Sequence, residues 1–247
     1  FSVVDVTTSY SAILRIREIR LHEGTHTMTQ RDLYFISGSP PCWTVMLALE
    51  VKAMDYRPQR LDNAKREQKS PDYLAINPRG QVPTLQHGEA TVCETLAVLA
   101  YIDATNPEPP LFGKEPLETA RIWQAISECD GNLREPVTNI SRPLFRGKAT
   151  EFAEQISEAA IVVREELGLL ESRLAADRWI AGETLSAADL TIFPVVMQLL
   201  RAAEREEAVP LDLAIHPLSE HFPNLGAWSE RIEALKGYQN AYPPHWK

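Results

Sequence analysis

The segment Ser39-Pro40-Pro41-Cys42-Trp43 holds the most suggestive chemistry in this chain. Before it, Leu33-Tyr34-Phe35-Ile36 is a compact apolar run, which reads as a buried strand. After it, Cys42, Val45, Met46 and Leu49 fall at the i, i+3, i+4, i+7 spacing of a helix face. Ser39 therefore heads a helix, where backbone N–H groups favour an anion. A hydroxyl placed there can donate to a thiolate. Read as a redox pair, the two reactive positions are 39 and 42, and the first is a serine, which cannot form a mixed disulfide. What remains is stabilisation of a thiolate carried by another molecule. The competing reading is that Ser39 only caps its helix, while Cys42 reads as a packing residue.

Two further segments could serve the same ligand. In Asn77-Pro78-Arg79-Gly80-Gln81-Val82-Pro83-Thr84-Leu85, a proline stands where a strand begins. A cis Val82–Pro83 bond would turn the Val82 N–H and C=O outward, free to pair with a peptide-like ligand. Glu94-Thr95 then opens another helix, whose amides and Thr95 hydroxyl could hold a carboxylate while Glu94 takes an ammonium. Taken alone, the Glu94-Thr95 pair is explained better by ordinary helix initiation. Other chemistries lack their signatures: no phosphate-binding glycine loop, no Gly-x-Ser-x-Gly, no His-Glu-x-x-His and no Cys-x-x-Cys. The six histidines show no metal-ligand spacing, so no metal is expected.

The elements that must position these residues alternate. After the first strand and helix come a strand at Tyr56–Leu61 and a short helical or irregular piece at Gln68–Ile76. Two strands, Val82–Leu85 and Ala90–Val92, join through His87-Gly88-Glu89, and a helix follows over Glu94–Thr105. This order predicts a compact α/β unit. The proline-rich stretch Asn106–Gly113 breaks both periods. Beyond it the pattern is helical: Ile122, Ile126, Cys129 and Leu133 step by 4, 3, 4, and Phe152 to Leu174 mark one long amphipathic helix. Ser186-Ala-Ala-Asp189 outlines a capping box, with Leu185 and Leu190 as its hydrophobic staple. The expected domains are an extension at 1–31, an α/β ligand-binding domain at 32–107, a linker at 108–115 and an all-helical domain at 116–247.

Of the 247 residues, 44% are hydrophobic, enough for real cores, and there is no apolar run of membrane-spanning length. A formal net charge of −9 argues against nucleic acid or an anionic membrane as the main partner. Cys42, Cys93 and Cys129 are too few and scattered for a disulfide framework, which points to a reducing, cytoplasmic setting. Residues 1–27 read as an appendage in which Ser11–Leu21 could form a short amphipathic helix. Its acids count against a mitochondrial presequence, and Met28 stands as a natural start.

Taken together, five pieces resemble the cytosolic glutathione transferase family over about residues 32–240. They are Ser39-Pro-Pro-Cys-Trp, Asn77-Pro-Arg-Gly-Gln-Val-Pro-Thr-Leu, Glu94-Thr with Ala100-Tyr-Ile-Asp, Gly182-Glu-Thr-Leu-Ser-Ala-Ala-Asp189, and Phe222-Pro-Asn-Leu-Gly-Ala-Trp228. The resemblance implies a thioredoxin-like N-terminal domain, a helical C-terminal domain, glutathione as cosubstrate without other cofactor, and a homodimer formed through the helices from Glu94 and Pro116. It implies that Ser39 activates the thiol, as in the serine-type tau, zeta and theta classes. Val82 beside a cis Pro83 would pair with the cysteinyl backbone, Glu94 and Thr95 would hold the γ-glutamyl end, and Gln81 and Lys69 would meet the glycine carboxylate. A hydrophobic electrophile would lie between the domains, with Phe35, Trp43, Trp123, Leu144 and Phe145 as candidate walls. Detoxification is the role implied. Thr44 and Met46 stand where the family often carries arginines, and tau-like and zeta-like features coexist, so the class stays open. The alternatives are a glutathione-binding regulatory protein on the same fold, and a glutathione-dependent isomerase, dehalogenase or peroxidase.

Overall fold

The computed structural model describes residues 30–246. The N-terminal appendage and its amphipathic Ser11–Leu21 fall outside the described residues.

Strand β1 (Arg31–Phe35) leads into helix α1 (Pro40–Val51) and strand β2 (Arg57–Arg60). Helix α2 (Pro71–Ile76) follows, then strands β3 (Thr84–His87) and β4 (Ala90–Cys93) and helix α3 (Thr95–Thr105). The four strands form one mixed sheet in the order β2-β1-β3-β4. The β1–β2 pair is parallel, as a crossover through α1 requires, and the other two pairs are antiparallel. Leu33 faces Leu85 in the register, and both are fully buried. This is the thioredoxin-like half. Strand β3 begins at Thr84, so Val82 and Pro83 stand outside the ladder, in the turn that precedes it.

The other half is all helical: α4 (Pro116–Glu128), α5 (Arg134–Phe145), α6 (Ala153–Ala176), α7 (Ala187–Ala203), α8 (Leu218–His221), α9 (Pro223–Glu233) and α10 (Tyr238–Ala241). Between α4 and α5 the chain continues through a wider π-helical turn, Cys129–Leu133. The stepped residues Ile122, Ile126, Cys129 and Leu133 are all buried. The long helix read from Phe152 to Leu174 is α6, and its apolar stripe faces the core.

Helix α1 joins the halves because it is apolar on two sides. Cys42, Val45 and Leu49 pack on the sheet, while Trp43, Leu47 and Ala48 pack into the helical core. An amphipathic stripe would have served only one partner, so the run Cys42–Leu49 reads almost continuously apolar. The proline-rich connection is tied down from both sides. The Lys52 Nζ, fully buried, donates to Asp103 Oδ1 at 2.6 Å, to the Asn106 carbonyl at 2.5 Å and to the Pro109 carbonyl at 2.6 Å. The Leu111 N–H donates to Asp103, and its carbonyl accepts from the Ala187 N–H at the head of α7. A buried ammonium with three oxygen partners is satisfied, whereas a lone one would not be tolerated.

At the head of α7 the capping box is present. Asp189 is fully buried and accepts four hydrogen bonds, each at 2.9 Å: from the N–H groups of Ile180 and Ser186, the Ser186 hydroxyl and the Trp228 indole. Burial pushes its pKa up, and these donors oppose the shift. The local box was legible in the sequence; its reach to Ile180 and Trp228 was not.

Candidate active site

Ser39 stands at the N-cap of α1, yet its side chain makes no capping bond. The reason is local. An N-cap side chain accepts from the second or third helical N–H, and Pro40 and Pro41 fill the first two helical positions without an N–H. The Trp43 N–H is spent on the Ser39 carbonyl at 2.9 Å. The anion-binding amides expected at this terminus thus reduce to that of Cys42. The hydroxyl, not the helix end, is the main donor on offer here.

The loop before Ser39 is held from the C-terminal end of the chain. The Ser37 Oγ and the His245 Nδ1 lie 3.0 Å apart. Gly38 has φ +81, and a Cβ there would meet His245 at 3.0 Å and Trp246 at 3.2 Å. Glycine thus serves both the turn and the close approach. Cys42 is 1% exposed, and burial pushes its thiol up to about 11 against the lowering effects of the Ser39 hydroxyl and the Ile36 backbone. It is a neutral packing group at physiological pH.

A cleft of about 680 Å³ opens beside Ser39. Along it lie Lys69, Gln81, Val82, Pro83, Glu94 and Thr95, so the residues singled out for a tripeptide share one wall system. The Val82–Pro83 bond is cis. Among the described residues, the Val82 N–H donates no hydrogen bond and its C=O accepts none. The turn carrying Val82 is anchored underneath. The Gln81 carbonyl accepts from the Tyr73 hydroxyl at 2.6 Å and from the Asn77 amide at 2.9 Å. Both side chains also meet the Thr84 hydroxyl. Lys69 Nζ donates to the Arg79 carbonyl at 2.9 Å. Gly80 has φ +58, and a Cβ there would sit 2.6 Å from the Gln68 carbonyl, so only glycine lets these strands of the cleft wall close up.

Glu94 has φ 70, a conformation that costs a non-glycine residue about 1–3 kcal/mol. It places the α3 N-terminus and Thr95 at the cleft and leaves the Glu94 carboxylate largely exposed, 3.9 Å from Arg79. Its backbone still serves the helix, accepting from the Val98 N–H at 2.9 Å.

The expected electrophile walls do not converge. Trp43 is 1% exposed and sits in an aromatic cluster with Phe193, Tyr238, Tyr242 and Trp246. Phe35 and Leu144 belong to the cores as well. Phe35 and Trp43 back a second cavity of about 530 Å³ along α1, which Ser39 also touches. Trp123 instead stacks on Phe112 with centroids 5.0 Å apart, and Phe145 lies under Arg201. Neither Trp123 nor Phe145 lines either of these two cavities beside Ser39. Aromatic residue type marked these positions, but type alone does not separate a core ring from a pocket ring.

Several lining residues were not singled out from the sequence: Asn63, Gln68, Asn77 and, from the helical half, Arg142. Asn77 lay inside a quoted motif. Nothing local marked Arg142, since its place at the cleft depends on how α5 packs against the other half.

Residues 33–110 match the family model described as glutathione S-transferase, N-terminal domain, and residues 153–231 match glutathione S-transferase, C-terminal domain. The chain is 30% identical over 219 residues to glutathione S-transferase A of Pleuronectes platessa, covering 85% of this chain and 90% of that protein. It is 31% identical over 214 residues to a probable maleylacetoacetate isomerase of Caenorhabditis elegans, covering 85% and 92%. Among solved structures, a glutathione S-transferase from the Antarctic clam Laternula elliptica superposes with a TM-score of 0.76 at 28% identity, covering 88% of this chain and 94% of that one. A glutathione transferase homolog from sulfitobacter with bound glutathione does so with a TM-score of 0.69 at 25% identity, covering 86% and 97%.

Proposed function

As the chain belongs to the glutathione S-transferase family, we propose that Ser39 activates the glutathione thiol for attack on an electrophilic carbon. The observation that carries this reading is the Ser39 hydroxyl, placed at a helix head and left out of the helix cap. The Val82 N–H and C=O would pair with the cysteinyl unit of glutathione, which sets its sulfur toward Ser39. Glu94 and Thr95 would receive the γ-glutamyl end, and Lys69 and Gln81 the glycine carboxylate. The resident chemistry needs no other cofactor.

The magnitudes close. A thiol of pKa ~8.5 must fall by ~2 units to be mostly ionised at neutral pH, which needs ~2.7 kcal/mol. A hydrogen bond to a charged group supplies ~1.5–3 kcal/mol. The helix end adds ~0.3–1 kcal/mol, at the low end here because two prolines remove its amides. Ser39 must therefore do most of the work. With a chlorinated nitroaromatic, the sulfur–carbon bond forms as the carbon–chlorine bond breaks, and chloride leaves with the electron pair. Holding both reactants in one cleft contributes the remainder.

Conjugation of 1-chloro-2,4-dinitrobenzene by wild type and Ser39→Ala tests the reading. The expected loss in kcat/KM is about 100-fold, with the pH midpoint of the rate moved upward as the bound thiol returns toward its free value. Unchanged turnover in Ser39→Ala removes the serine from the mechanism. Glutathione binding by wild type without turnover of any electrophile turns the reading into that of a regulatory protein.

A second reading, glutathione-dependent isomerisation, is favoured by the likeness to the probable isomerase. The same thiolate would add to a carbon–carbon double bond and be expelled after rotation, so glutathione would not be consumed. Stoichiometric loss of free thiol separates transfer from isomerisation. The same family reading makes the chain a homodimer through α3 and α4, checked by sedimentation.

A further inference from the structure

Arg142 is the residue of the helical half that lines the cleft containing Ser39. Its neighbours hold it rigidly in place. Ser141 is fully buried and accepts from the Gln198 amide at 2.6 Å, and Leu144 is fully buried in the helical core. The Arg142 side chain itself is exposed, and among the described residues it has neither hydrogen bond nor ion pair. Other arginines of the same half are spent on protein partners: Arg134 on Asp130, Arg173 on Glu128, Arg164 on the Leu213 carbonyl. On the reading proposed above, the charges of glutathione are met by Lys69 and by the α3 N-terminus with Glu94, which leaves Arg142 unassigned. The acid of the cleft lining, Glu94, stands beside Arg79 instead. Arg201 sits 5.8 Å from the Phe145 ring, one turn beyond Arg142, and 3.9 Å over the Trp246 ring.

Resting on the reading of Ser39 above, we propose that the second substrate carries an anionic group, a carboxylate or its equivalent, and that Arg142 receives it across the cleft from Ser39. A guanidinium binds a carboxylate through two parallel N–H donors, which fixes the direction of the substrate as well as its affinity. The electrophilic carbon would then be presented to the sulfur from the helical side of the cleft. Selectivity follows from the same contact: an uncharged analogue leaves the guanidinium solvated and gains nothing from it.

The test uses the full chain with two matched electrophiles, 1-chloro-2,4-dinitrobenzene and 4-chloro-3-nitrobenzoate, and the variants Arg142→Gln and Arg142→Lys. Arg142→Gln should raise KM for the benzoate by about tenfold or more, the loss of a charge-assisted hydrogen bond. It should leave the neutral substrate within about threefold and the pH midpoint in place, and Arg142→Lys should recover part of the loss. Equal losses on both substrates with an upward pH midpoint would assign Arg142 to the thiolate and overturn the proposal. Absence of transfer to either electrophile by wild type is a failure of the Ser39 reading, not of this one. In that case calorimetry with the two S-aryl glutathione conjugates decides: preference for the carboxylated conjugate, lost in Arg142→Gln, supports the proposal, and equal affinities overturn it.

Discussion

Two serines in this chain stand at helix N-caps and are used in opposite ways. Ser186, at the head of α7, is 2% exposed, accepts from the Ala188 N–H and donates to the buried Asp189 carboxylate. Ser39, at the head of α1, faces a cleft and makes no cap bond. The residues that follow decide the difference. Two alanines leave every helical N–H of α7 available, and the terminus closes on itself. Two prolines strip the first amides from α1, and the hydroxyl caps no backbone N–H of its own helix. A closed terminus contributes stability, while an open one keeps its donor for another molecule.

The contrast extends to the surroundings. The donors aimed at Asp189 are all paired with its carboxylate, as burial demands. Around Ser39 the chain keeps polar groups unspent, the Val82 backbone and the Arg142 guanidinium. Unpaired groups are tolerable there because the cleft is open to water, and they are what a charged, peptide-like ligand would need.

The largest effect is expected where the closed region is opened. Asp189→Ala strands four donors in a dry core and should cost about 3–5 kcal/mol, read from urea unfolding; a loss below 1 kcal/mol would mean that water replaces the carboxylate. Next in size is Ser39→Ala, with the loss of turnover given above but a stability change within about 0.5 kcal/mol. A large stability loss in that variant would show that Ser39 also caps, and the contrast would blur. Ser186→Ala should behave inversely, losing about 1–2 kcal/mol of stability with unchanged activity per folded molecule. The smallest effect is expected for Glu94→Gly, which relieves the positive φ and should stabilise the chain by about 1 kcal/mol while weakening glutathione binding. Binding that survives intact would show that backbone geometry matters at position 94 and the carboxylate does not.

Much of the site is local chemistry and was legible. Ser39 falls at a strand-to-helix junction, the Val82–Pro83 segment precedes a strand, and Glu94-Thr95 opens a helix, all recognisable over a few residues. The strand limits were less so: β3 begins at Thr84 because the cis Val82–Pro83 turn leaves the ladder, whereas residue type alone made Val82 a strand former. The aromatic positions divide for a similar reason. Trp43 and Phe35 are core rings that also back the cavity along α1, whereas Trp123 and Phe145 line neither that cavity nor the cleft.

What the order of residues determined by itself was the alternation of strands and helices, the proline-rich break, the capping box and the serine with two prolines behind it. Each depends on backbone propensity and spacing within a turn or two. What only the tertiary structure decided was which groups share a space: Asp189 with Trp228, Lys52 with the linker carbonyls, Arg142 with Ser39. Those partners are separated by tens of residues, and their meeting is set by helix packing, for which no local periodicity carries a signal.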